Sequence, residues 1–349
     1  MIPAIFGLSG PVLSADERAF FRDADPAGYI LFGRNVESRE QLRALTDDLR
    51  AIHGRDRLLI SIDQEGGRVA RMKPPVWAKY PAGQPFARLW DIAPASAIEA
   101  ARANAQALGM DLAEAGISVD CWPCMDVRVP GAHDVIGDRA LGEEPMQVAA
   151  LGRAILDGLA AAGVAGVIKH MPGHGRAGAD SHKELPRVDA GAAELERDIA
   201  PFRTLAQEGA RRPLIGMTGH ILFPAWDGAH PATQSAWIVR EIIRGQIGFD
   251  GLLLTDDVDM QALSGTISER AAASIAAGCD IVLNCWAKMD DMVGIAHAVP
   301  DMPAGAGDRL ERALAETAVP AAMDAALHGE LTARRDALLA LVPADEARC

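Results

Sequence analysis

Gly251-Leu252-Leu253-Leu254-Thr255-Asp256 carries the clearest fold signal in this 349-residue chain. Its centre is apolar without interruption, and it ends in a carboxylate. A strand with one wet face alternates apolar and polar residues, whereas a continuous apolar run is typical of a parallel strand buried on both faces. Leu58-Leu59-Ile60 has the same character. The sequence therefore predicts a parallel sheet covered by helices.

Eight apolar runs of this kind alternate with stretches of i, i+3, i+4 apolar spacing. This alternation implies parallel pairing with crossover helices, and eight units favour a closed barrel over an open sheet. We predict an α/β fold, a single (β/α)8 TIM-type barrel forming one catalytic domain over residues 1–349, with C-terminal helices at about 305–343 closing the barrel. The predicted strands are Ile2–Leu8, Gly28–Phe32, Leu58–Asp63, Ser118–Trp122, Gly166–His170, Leu214–Gly219, Gly251–Asp256 and Asp280–Asn284. The predicted helices between them include Arg39–Ile52, Ala95–Ala115, Met146–Ala162, Ala193–Gln207, Ser235–Gln246 and Ser268–Ala277.

The composition is that of an acidic globular enzyme, with 49% hydrophobic and 23% charged residues. Lys and Arg number 34 against 48 Asp and Glu, which gives a net charge of -14. Such a balance repels nucleic acid and anionic membrane surfaces, so neither is expected as a partner. No apolar run approaches the roughly 18 residues that cross a bilayer, and the N-terminus does not resemble a secretory signal. Five cysteines, an odd number, favour a reducing compartment. We expect a cytoplasmic protein with no obligate protein partner.

Polar residues stand where the predicted strands end. Asp63, His170 and Asp256 each lie at or just past the C-terminal end of a strand. In (β/α)8 barrels that face carries the chemistry. A carboxylate at the end of a buried strand suits a nucleophile for a sugar anomeric centre, and the strand geometry would let only one of Asp256 and Asp257 face the pocket. Taken singly, such aspartates also serve as helix N-caps, and that alternative stays open.

The segment from Lys169 to His182 follows a predicted strand and holds three histidines among glycines and a proline. Glycine and proline disfavour a regular helix, so a shaped or mobile loop is expected. Asp180 precedes His182 by two residues, and in an extended stretch both side chains project to one side. A neighbouring carboxylate orients an imidazole and favours its charged form, which suits a general acid. Spacing alone leaves open a loop histidine that is merely tied down by a local hydrogen bond.

These residues amount to a family resemblance over roughly residues 1–300. The run Ile242–Gln246 followed by Gly251–Asp256 resembles the active-site signature of glycoside hydrolase family 3. The segment 169–175 with Asp180-Ser181-His182 is similar to the hallmark of its β-N-acetylglucosaminidase branch. The resemblance implies that Asp256 is the nucleophile and that a His182–Asp180 dyad replaces the usual acid/base carboxylic acid.

The resemblance extends to sugar-binding segments. Asp63-Gln64-Glu65-Gly66-Gly67-Arg68-Val69 looks like the early sugar-binding stretch, which implies that Asp63 grips sugar hydroxyls. Ile136–Gly142 is similar to a segment whose arginine, here Arg139, contacts the substrate, and Lys169 and His170 correspond to further ligands. Met171, where an aromatic or branched residue is more usual, and the loop sequence 176–179 depart from the pattern.

The resemblance implies a specific activity. It is a retaining exo-β-N-acetylglucosaminidase that forms a covalent glycosyl-enzyme and removes terminal N-acetylglucosamine from cell-wall-derived 1,6-anhydromuropeptides. The expected partner is therefore a small carbohydrate substrate, and no cofactor is implied. Within the family, a β-glucosidase and an N-acetylglucosaminide phosphorylase are rivals; the first usually takes its acid/base from a second domain, for which this chain is too short.

Two rivals come from other classes. His170, His174 and His182 suggest a metal-dependent barrel hydrolase, but the loop is not helical and Lys169 would repel a cation, so no metal site is expected. A non-catalytic sugar-binding barrel would lack turnover. Cys121-Trp122-Pro123-Cys124 has CxxC spacing but closes a strand instead of opening a helix, so buried cysteines are expected in place of a redox site. Trp77 and Trp122 are the first candidates for stacking on a sugar.

Overall fold

The computed structural model describes residues 1–207, 209, 214–318 and 322–343. Eight parallel strands form a closed barrel in sequence order, in which each strand pairs with the next and the last pairs with the first. This confirms the predicted (β/α)8 fold. Residues 344–349, the end of the predicted domain, lie outside the described residues. The strands are β1 Ile2–Gly7, β2 Pro26–Leu31, β3 Leu59–Ile62, β4 Val119–Asp120, β5 Ala165–Met171, β6 Ile215–Thr218, β7 Leu252–Asp257 and β8 Ile281–Asn284.

Helices follow the strands and cover the barrel. The six helices predicted between strands are present, although the one after β6 starts later than predicted and has π-type hydrogen bonding over Ile238–Ile247. Three shorter helices of the described residues were not predicted: the one after β1, the first of the two after β3, and the one after β8. The α-helices are α1 Ala15–Ala24, α2 Arg39–His53, α3 Gln84–Ile92, α4 Pro94–Glu114, α5 Pro145–Ala161, α6 Ala192–Ala206, α7 Ile267–Ala276, α8 Met289–Ala298, α9 Ala304–Ala315 and α10 Ala325–Leu339.

Both faces of the strands are buried, which explains their continuous apolar sequences. Along β7, Leu252 and Leu254 belong to the cluster inside the barrel, while Leu253 between them belongs to the cluster under the helices. Successive side chains of a strand point to opposite faces, so each face of β7 needs an apolar residue. The leucine run therefore supplies apolar side chains both to the interior of the barrel and to the layer under the helices.

The two C-terminal helices occupy different places. In α9, Leu310 and Ala313 pack into the cluster inside the barrel. Just before this helix, Met302 N–H donates to the carbonyl of Met1 at 3.1 Å, which places α9 across the amino ends of the strands. By contrast, α10 packs on the outside against α4, where Arg335 lies 3.2 Å from the side-chain oxygen of Asn104. The carboxyl ends of the strands stay open on the opposite side. No helix of the described residues combines the length and the apolar character that crossing a membrane requires.

Candidate active site

A cavity of about 570 Å³ lies at the carboxyl ends of the strands. It collects side chains from the ends of β3, β5 and β7 and from the loops after β4 and β5. Every residue predicted for catalysis or substrate binding lines this one cavity. They are Asp63, Arg139, Lys169, His170, Asp180, His182 and Asp256.

Two strands are irregular where they reach the cavity. The pairing of β5 with β6 shifts between Ile168 and Met171, and the pairing of β7 with β8 shifts between Leu254 and Asp257. In each case the strand has one residue more than its partner over the same span, as in a β-bulge. Bulges break the strict alternation of side chains and are common at barrel rims and next to active sites.

The bulges put sequence neighbours on the same surface. Lys169 and His170 both line the cavity, and so do Asp256 and Asp257. The expectation that only Asp256 of its pair faces the pocket is therefore wrong, because it assumed regular alternation up to the end of the strand.

A buried network of charges forms the floor of the cavity around Glu65. Lys169 Nζ lies 2.7 Å from Glu65 Oε1 and 3.0 Å from Asp63 Oδ1. Arg139 donates to both oxygens of Glu65, from Nε at 2.8 Å and from Nη2 at 2.7 Å. Arg71 Nη2 completes the network 3.2 Å from Asp63 Oδ2. Glu65 therefore ties two predicted substrate ligands, Lys169 and Arg139, to a third, Asp63.

The network keeps its members charged. Burial opposes ionisation of Glu65, but Arg139 and Lys169 outweigh it and hold the pKa of this carboxyl far below its ordinary value. The pKa of Asp63 is likewise lowered, since Lys169 and Arg71 overcome the effect of burial. Burial would lower the pKa of Lys169, yet Glu65 and Asp63 raise it well above its ordinary value. The floor of the cavity thus presents fixed charges and hydrogen-bonding groups.

A second buried carboxylate, Asp126, holds His170. Asp126 Oδ2 lies 2.7 Å from His170 Nδ1, and Oδ1 accepts the backbone N–H groups of His170 at 3.3 Å and His174 at 2.6 Å. The side chain of Asp126 has no exposed surface, and His170 together with His174 holds its pKa well below the ordinary value despite burial. Nδ1–H of His170 is thereby directed to Asp126, which leaves Nε2 for the cavity.

Asp256 lies at the end of β7, within the electrostatic reach of two histidines. Its Oδ1 accepts the backbone N–H of Asp257 at 2.8 Å. Burial raises the pKa of Asp256, but His170 and His220 outweigh it, so the pKa is lower than usual and the carboxylate is ionised. His220 is itself held by two hydrogen bonds, from Nδ1 to Thr233 Oγ1 at 2.8 Å and from Nε2 to the carbonyl of Asp257 at 2.9 Å. The second of these fixes the backbone beside Asp256.

The two neighbouring aspartates differ in ionisation. Burial and the nearby Asp259 raise the pKa of Asp257 to about 8. Its Oδ1 accepts the backbone N–H groups of Asp259 and Cys285, both at 3.1 Å. Asp257 is therefore engaged with the protein backbone, while Asp256 offers a charged carboxylate to the cavity.

His182 reaches the same cavity from the loop after β5. Its Nδ1 lies 2.8 Å from Asp180 Oδ1, which also accepts the backbone N–H of His182 at 3.0 Å. Burial opposes it, but these hydrogen bonds hold the pKa of Asp180 below its ordinary value. The imidazole is 66% exposed, so its Nε2 edge is open to a ligand. The predicted pairing of Asp180 with His182 is thus present.

The loop is fastened at several points. His174 Nε2 lies 3.2 Å from Ser181 Oγ, and Arg176 Nε lies 2.7 Å from Asp198 on α6. The carbonyl of His182 accepts the backbone N–H of Gln261 at 3.5 Å, which docks the dyad against the segment after β7. In this conformation the loop brings His182 and Asp256 to one cavity.

The predictions for the tryptophans and for the cysteines have different outcomes. Trp77 and Trp122 are both in the core, so neither can stack on a sugar, whereas the exposed Trp286 lines the cavity. Cys121 and Cys124 are buried as free thiols, and burial raises the pKa of both.

The alternative of a metal-dependent barrel hydrolase requires the three loop histidines to lie in one cluster. Among the residues that the structure describes, the side chains close enough to share an ion are Cys124, Asp126 and His170, and neither His174 nor His182 belongs to that group. His174 is instead buried, which lowers its pKa to about 4. The three loop histidines are therefore not arranged as one set of ligands.

Sequence reasoning missed four residues of the site: Glu65, Arg71, Asp126 and Asp257. Glu65 had a signal, since it follows Asp63 by two residues just past a strand end. Asp126 gave a weaker signal, since it stands farther past the end of β4, which is at Asp120. Their role depends on partners from other strands, which local sequence does not reveal.

The comparisons with known proteins agree with this geometry. Residues 9–311 match the model of the glycosyl hydrolase family 3 N terminal domain. The chain belongs to glycoside hydrolase family 3. A β-hexosaminidase from Alkalilimnicola ehrlichii is 41% identical over 286 residues, covering 81% of this chain and 80% of the relative. Another, from Aromatoleum aromaticum, is 36% identical over 348 residues, 97% of this chain and 95% of the relative.

A solved structure of the family extends the likeness to the whole fold. NagZ from Neisseria gonorrhoeae, in complex with N-trifluoroacetyl-D-glucosamine, superposes with a TM-score of 0.85 at 31% identity and covers 98% of both chains. The expected membership of the β-N-acetylglucosaminidase branch of family 3 is thus confirmed, and with it the expected enzyme class, a glycoside hydrolase of the β-N-acetylhexosaminidase type.

Proposed function

We propose that the chain is a retaining exo-β-N-acetylglucosaminidase that removes terminal N-acetylglucosamine from cell-wall-derived 1,6-anhydromuropeptides through a covalent glycosyl-enzyme. The observation that carries the proposal is a single cavity lined by an ionised carboxylate, Asp256, and by the hydrogen-bonded pair of His182 and Asp180. A retaining mechanism needs one nucleophile and one acid/base group on opposite sides of the scissile bond.

In the first step an Asp256 oxygen bonds to the anomeric carbon while the bond from that carbon to the leaving oxygen breaks. Protonated His182 delivers its Nε2 proton to the leaving oxygen. Asp180 accepts the Nδ1–H and stabilises the imidazolium, as its 2.8 Å contact allows. General acid catalysis of this kind contributes on the order of 10²–10⁴ in rate.

In the second step a water molecule attacks the anomeric carbon from the side that the leaving group vacated. Neutral His182 takes a proton from that water, and the bond to Asp256 breaks. Two displacements give net retention of configuration. Asp256 then regains its charge and His182 its proton, so the site is ready for another turnover.

Asp63, Arg139, Lys169 and His170 are proposed to hold the sugar. Buried ion pairs with Glu65 and Asp126 fix the positions of these side chains. The four residues therefore orient the sugar and take no part in bond-making. Support for N-acetylglucosamine as the sugar comes from the N-trifluoroacetyl-D-glucosamine bound to the NagZ neighbour, and the relatives, which are β-hexosaminidases, agree with an amino sugar. The muropeptide leaving group rests on the family resemblance.

The proposal includes two further points. The whole chain, residues 1–349, acts as one catalytic domain, which the family match over 9–311 and the place of α9 across the barrel end support. The location is cytoplasmic, for which the buried free thiols of Cys121, Cys124, Cys279 and Cys285 are compatible evidence.

The test of the chemistry compares the wild type with Asp256→Ala and His182→Ala on aryl N-acetyl-β-glucosaminides. We expect Asp256→Ala to be nearly inactive with every leaving group. His182→Ala should recover partly with dinitrophenol, which departs without a proton, and poorly with less acidic leaving groups. An equal loss of activity in both variants, whatever the leaving group, would contradict the assigned roles.

A fluorinated N-acetylglucosaminyl donor then locates the covalent bond. Peptide mass mapping should find the sugar on Asp256 in the wild type and also in Asp257→Asn, the matched control for a neighbouring carboxylate in the same cavity. A sugar on another side chain would rule out Asp256 as nucleophile. Product release from a 1,6-anhydromuropeptide, with and without phosphate, separates hydrolysis from phosphorolysis.

A further inference from the structure

The turn that follows Glu65 rests on residues 80–83, the segment that leads into α3. The backbone N–H of Gly67 donates to the carbonyl of Tyr80 at 2.9 Å. Gly66 comes so close to this segment that a Cβ on it would lie 2.1 Å from a backbone carbonyl oxygen, so only a glycine fits there. Because Glu65 directly precedes the two glycines, residues 80–83 support the backbone that carries the common anchor of the cavity floor.

The same segment reaches the backbone of Arg139. A Cβ on Gly83 would lie 2.4 Å from the carbonyl oxygen of Arg139 and 2.9 Å from that of Ala140, so this approach also requires a glycine. Arg139 and Glu65 form a buried ion pair, although they come from the loops after β4 and β3. Residues 80–83 therefore contact the backbone beside both partners of that ion pair, and their position affects where the pair lies.

Tyr80, the first residue of this segment, is held from the outside by α4 and α10. Its hydroxyl donates to Asp111 Oδ2 on α4 at 2.6 Å and lies 3.0 Å from His328 Nε2 on α10. Burial and Asp111 raise the pKa of Tyr80 well above its ordinary value, so the hydroxyl keeps its one proton, which is directed to Asp111. His328 Nε2 must therefore carry a proton of its own and donate to the Tyr80 oxygen. Two side chains of α10 thus hold Tyr80, since Arg335 also lies with Cζ 5.6 Å from the centre of the ring.

We propose that α10 positions the sugar-binding floor of the cavity. Its side chains fix Tyr80, and residues 80–83 in turn hold the backbone beside the buried ion pair of Glu65 and Arg139. His328 is thus assigned as a positioning residue. The inference rests on the proposed function, in which the cationic partners of Glu65 bind the sugar. The residues that match the family model end at 311, so α10 lies beyond the matched part of the chain.

The expected signature is a change in binding without a change in the chemical step. The groups proposed for bond-making, Asp256 and His182, are carried by other elements, β7 and the loop after β5. A slightly displaced floor would leave those groups in place but would meet the sugar less well. KM and the dissociation constant of N-acetylglucosamine should therefore depend on the contacts of α10, and kcat should not.

The experiment compares variants of the hydrogen-bonded pair in the full chain. Tyr80→Phe removes the hydroxyl and keeps the ring. His328→Leu removes the donor, and His328→Gln keeps an N–H donor close to the place of Nε2. The measurements are KM and kcat for para-nitrophenyl N-acetyl-β-glucosaminide, and the dissociation constant of N-acetylglucosamine by calorimetry.

The chain offers a matched control, because its only other tyrosine has the same type of partner. Tyr29 is also buried, and its hydroxyl lies 2.6 Å from His53 Nε2. His53 ends α2 and lies 3.2 Å from Asp25, which directly precedes β2, so this pair is near the amino ends of the strands, opposite the cavity. Tyr29→Phe and His53→Leu therefore remove a comparable buried hydrogen bond away from the sugar site.

We expect Tyr80→Phe and His328→Leu each to raise KM and the dissociation constant about fivefold and to change kcat by less than about twofold. His328→Gln should stay within about twofold of the wild type, because it restores the donor. The double variant should bind no worse than Tyr80→Phe alone, since both changes act on one hydroxyl. Tyr29→Phe and His53→Leu should lower the midpoint of urea unfolding and keep the wild-type KM and dissociation constant.

Wild-type binding in both Tyr80→Phe and His328→Leu would refute the positioning role. So would an equal rise in KM in Tyr29→Phe, a loss of kcat as large as the loss of binding, or the same loss in His328→Gln as in His328→Leu. If His328→Leu does not fold, Tyr80→Phe, which keeps the ring contacts, decides the question. If the wild type neither cleaves the glycoside nor binds N-acetylglucosamine, the proposed function itself fails; a wild type that does both while the variants match it refutes this inference alone.

Discussion

Glu65→Gln is the substitution that best tests how the cavity floor is built. Glu65 is 2% exposed, and its two oxygens accept three charged contacts from Arg139 and Lys169 at 2.7–2.8 Å. A glutamine is nearly isosteric but neutral, and one of its terminal atoms is a donor. With its oxygen kept toward Arg139 Nη2 and Lys169, its NH2 group faces the Nε–H of Arg139, so that contact becomes donor against donor.

The cost follows from these contacts. Two contacts between opposite charges become hydrogen bonds from a cation to a neutral carbonyl oxygen, which loses about 1 kcal/mol each, and one buried donor is left unpaired at about 1–3 kcal/mol. We therefore expect the free energy of unfolding to fall by about 3–5 kcal/mol, in line with the loss from removing one partner of a buried ion pair. Because Lys169 and Arg139 also lose their common anchor, KM for an aryl N-acetylglucosaminide should rise.

Urea denaturation and steady-state kinetics measure the two effects, and Glu17→Gln is the matched control. Glu17 is also 2% exposed, but it accepts only from Ser9 and Ser14 at the start of α1, away from the cavity. Its substitution should cost about 1–2 kcal/mol and leave KM unchanged. If Glu65→Gln is no more destabilising than Glu17→Gln and keeps the wild-type KM, the network does not position the substrate ligands.

Three further predictions follow from the same region. Asp126→Asn should reverse the tautomer of His170 and lower kcat/KM about tenfold with little change in the CD spectrum; a wild-type rate would show that the tautomer is immaterial. The pKa values of Glu65 and Asp126 lie below their ordinary values. These carboxylates therefore stabilise the fold fully above the pKa values of the unfolded chain, near 4, and that stabilisation is lost as the pH falls below them. The free energy of unfolding in urea should fall more steeply from pH 5 to 3 in the wild type than in Glu65→Gln, and equal slopes would contradict this. Gly175→Ala would place a Cβ 1.8 Å from the carbonyl oxygen of Val127, so the dyad loop should shift and kcat should fall at least tenfold, whereas an unchanged kcat would mean that the loop adapts.

The strands could be predicted because a closed barrel requires apolar residues on both faces of every strand. Each strand is buried on both faces, so its sequence is apolar at successive positions, as at 252–254. Helices with a long amphipathic pattern, such as α2 over Arg39–His53, were equally visible. The unpredicted α1 and α8 have ten residues each, as the predicted α7 has, so length does not explain why they were missed. The capping box that Ser14 forms with Glu17 at the start of α1 was a signal in the sequence.

The part of the site that lies at strand ends or in family motifs could be predicted from the sequence. Asp63, His170 and Asp256 end strands, so their convergence follows from parallel pairing alone. Glu65 and Asp126 could not be assigned in the same manner, because a carboxylate is identified as an anchor only by the cation or imidazole that meets it. Those partners are more than 40 positions away in the chain, at Lys169 and His170.

The bulges in β5 and β7 explain how a narrow barrel accommodates so many functional side chains. In a regular strand only every second residue faces the interior, so each strand end could offer one side chain to the cavity. The register shifts let Lys169 join His170, and Asp257 join Asp256. Lys169 is then able to reach Glu65, which follows β3, and Asp257 is able to accept the backbone N–H of Cys285, which follows β8. One irregularity thus helps to hold the sugar-binding floor together and the other joins the strand that carries Asp256 to the end of β8, so a change that removed either bulge should disturb binding and chemistry at once.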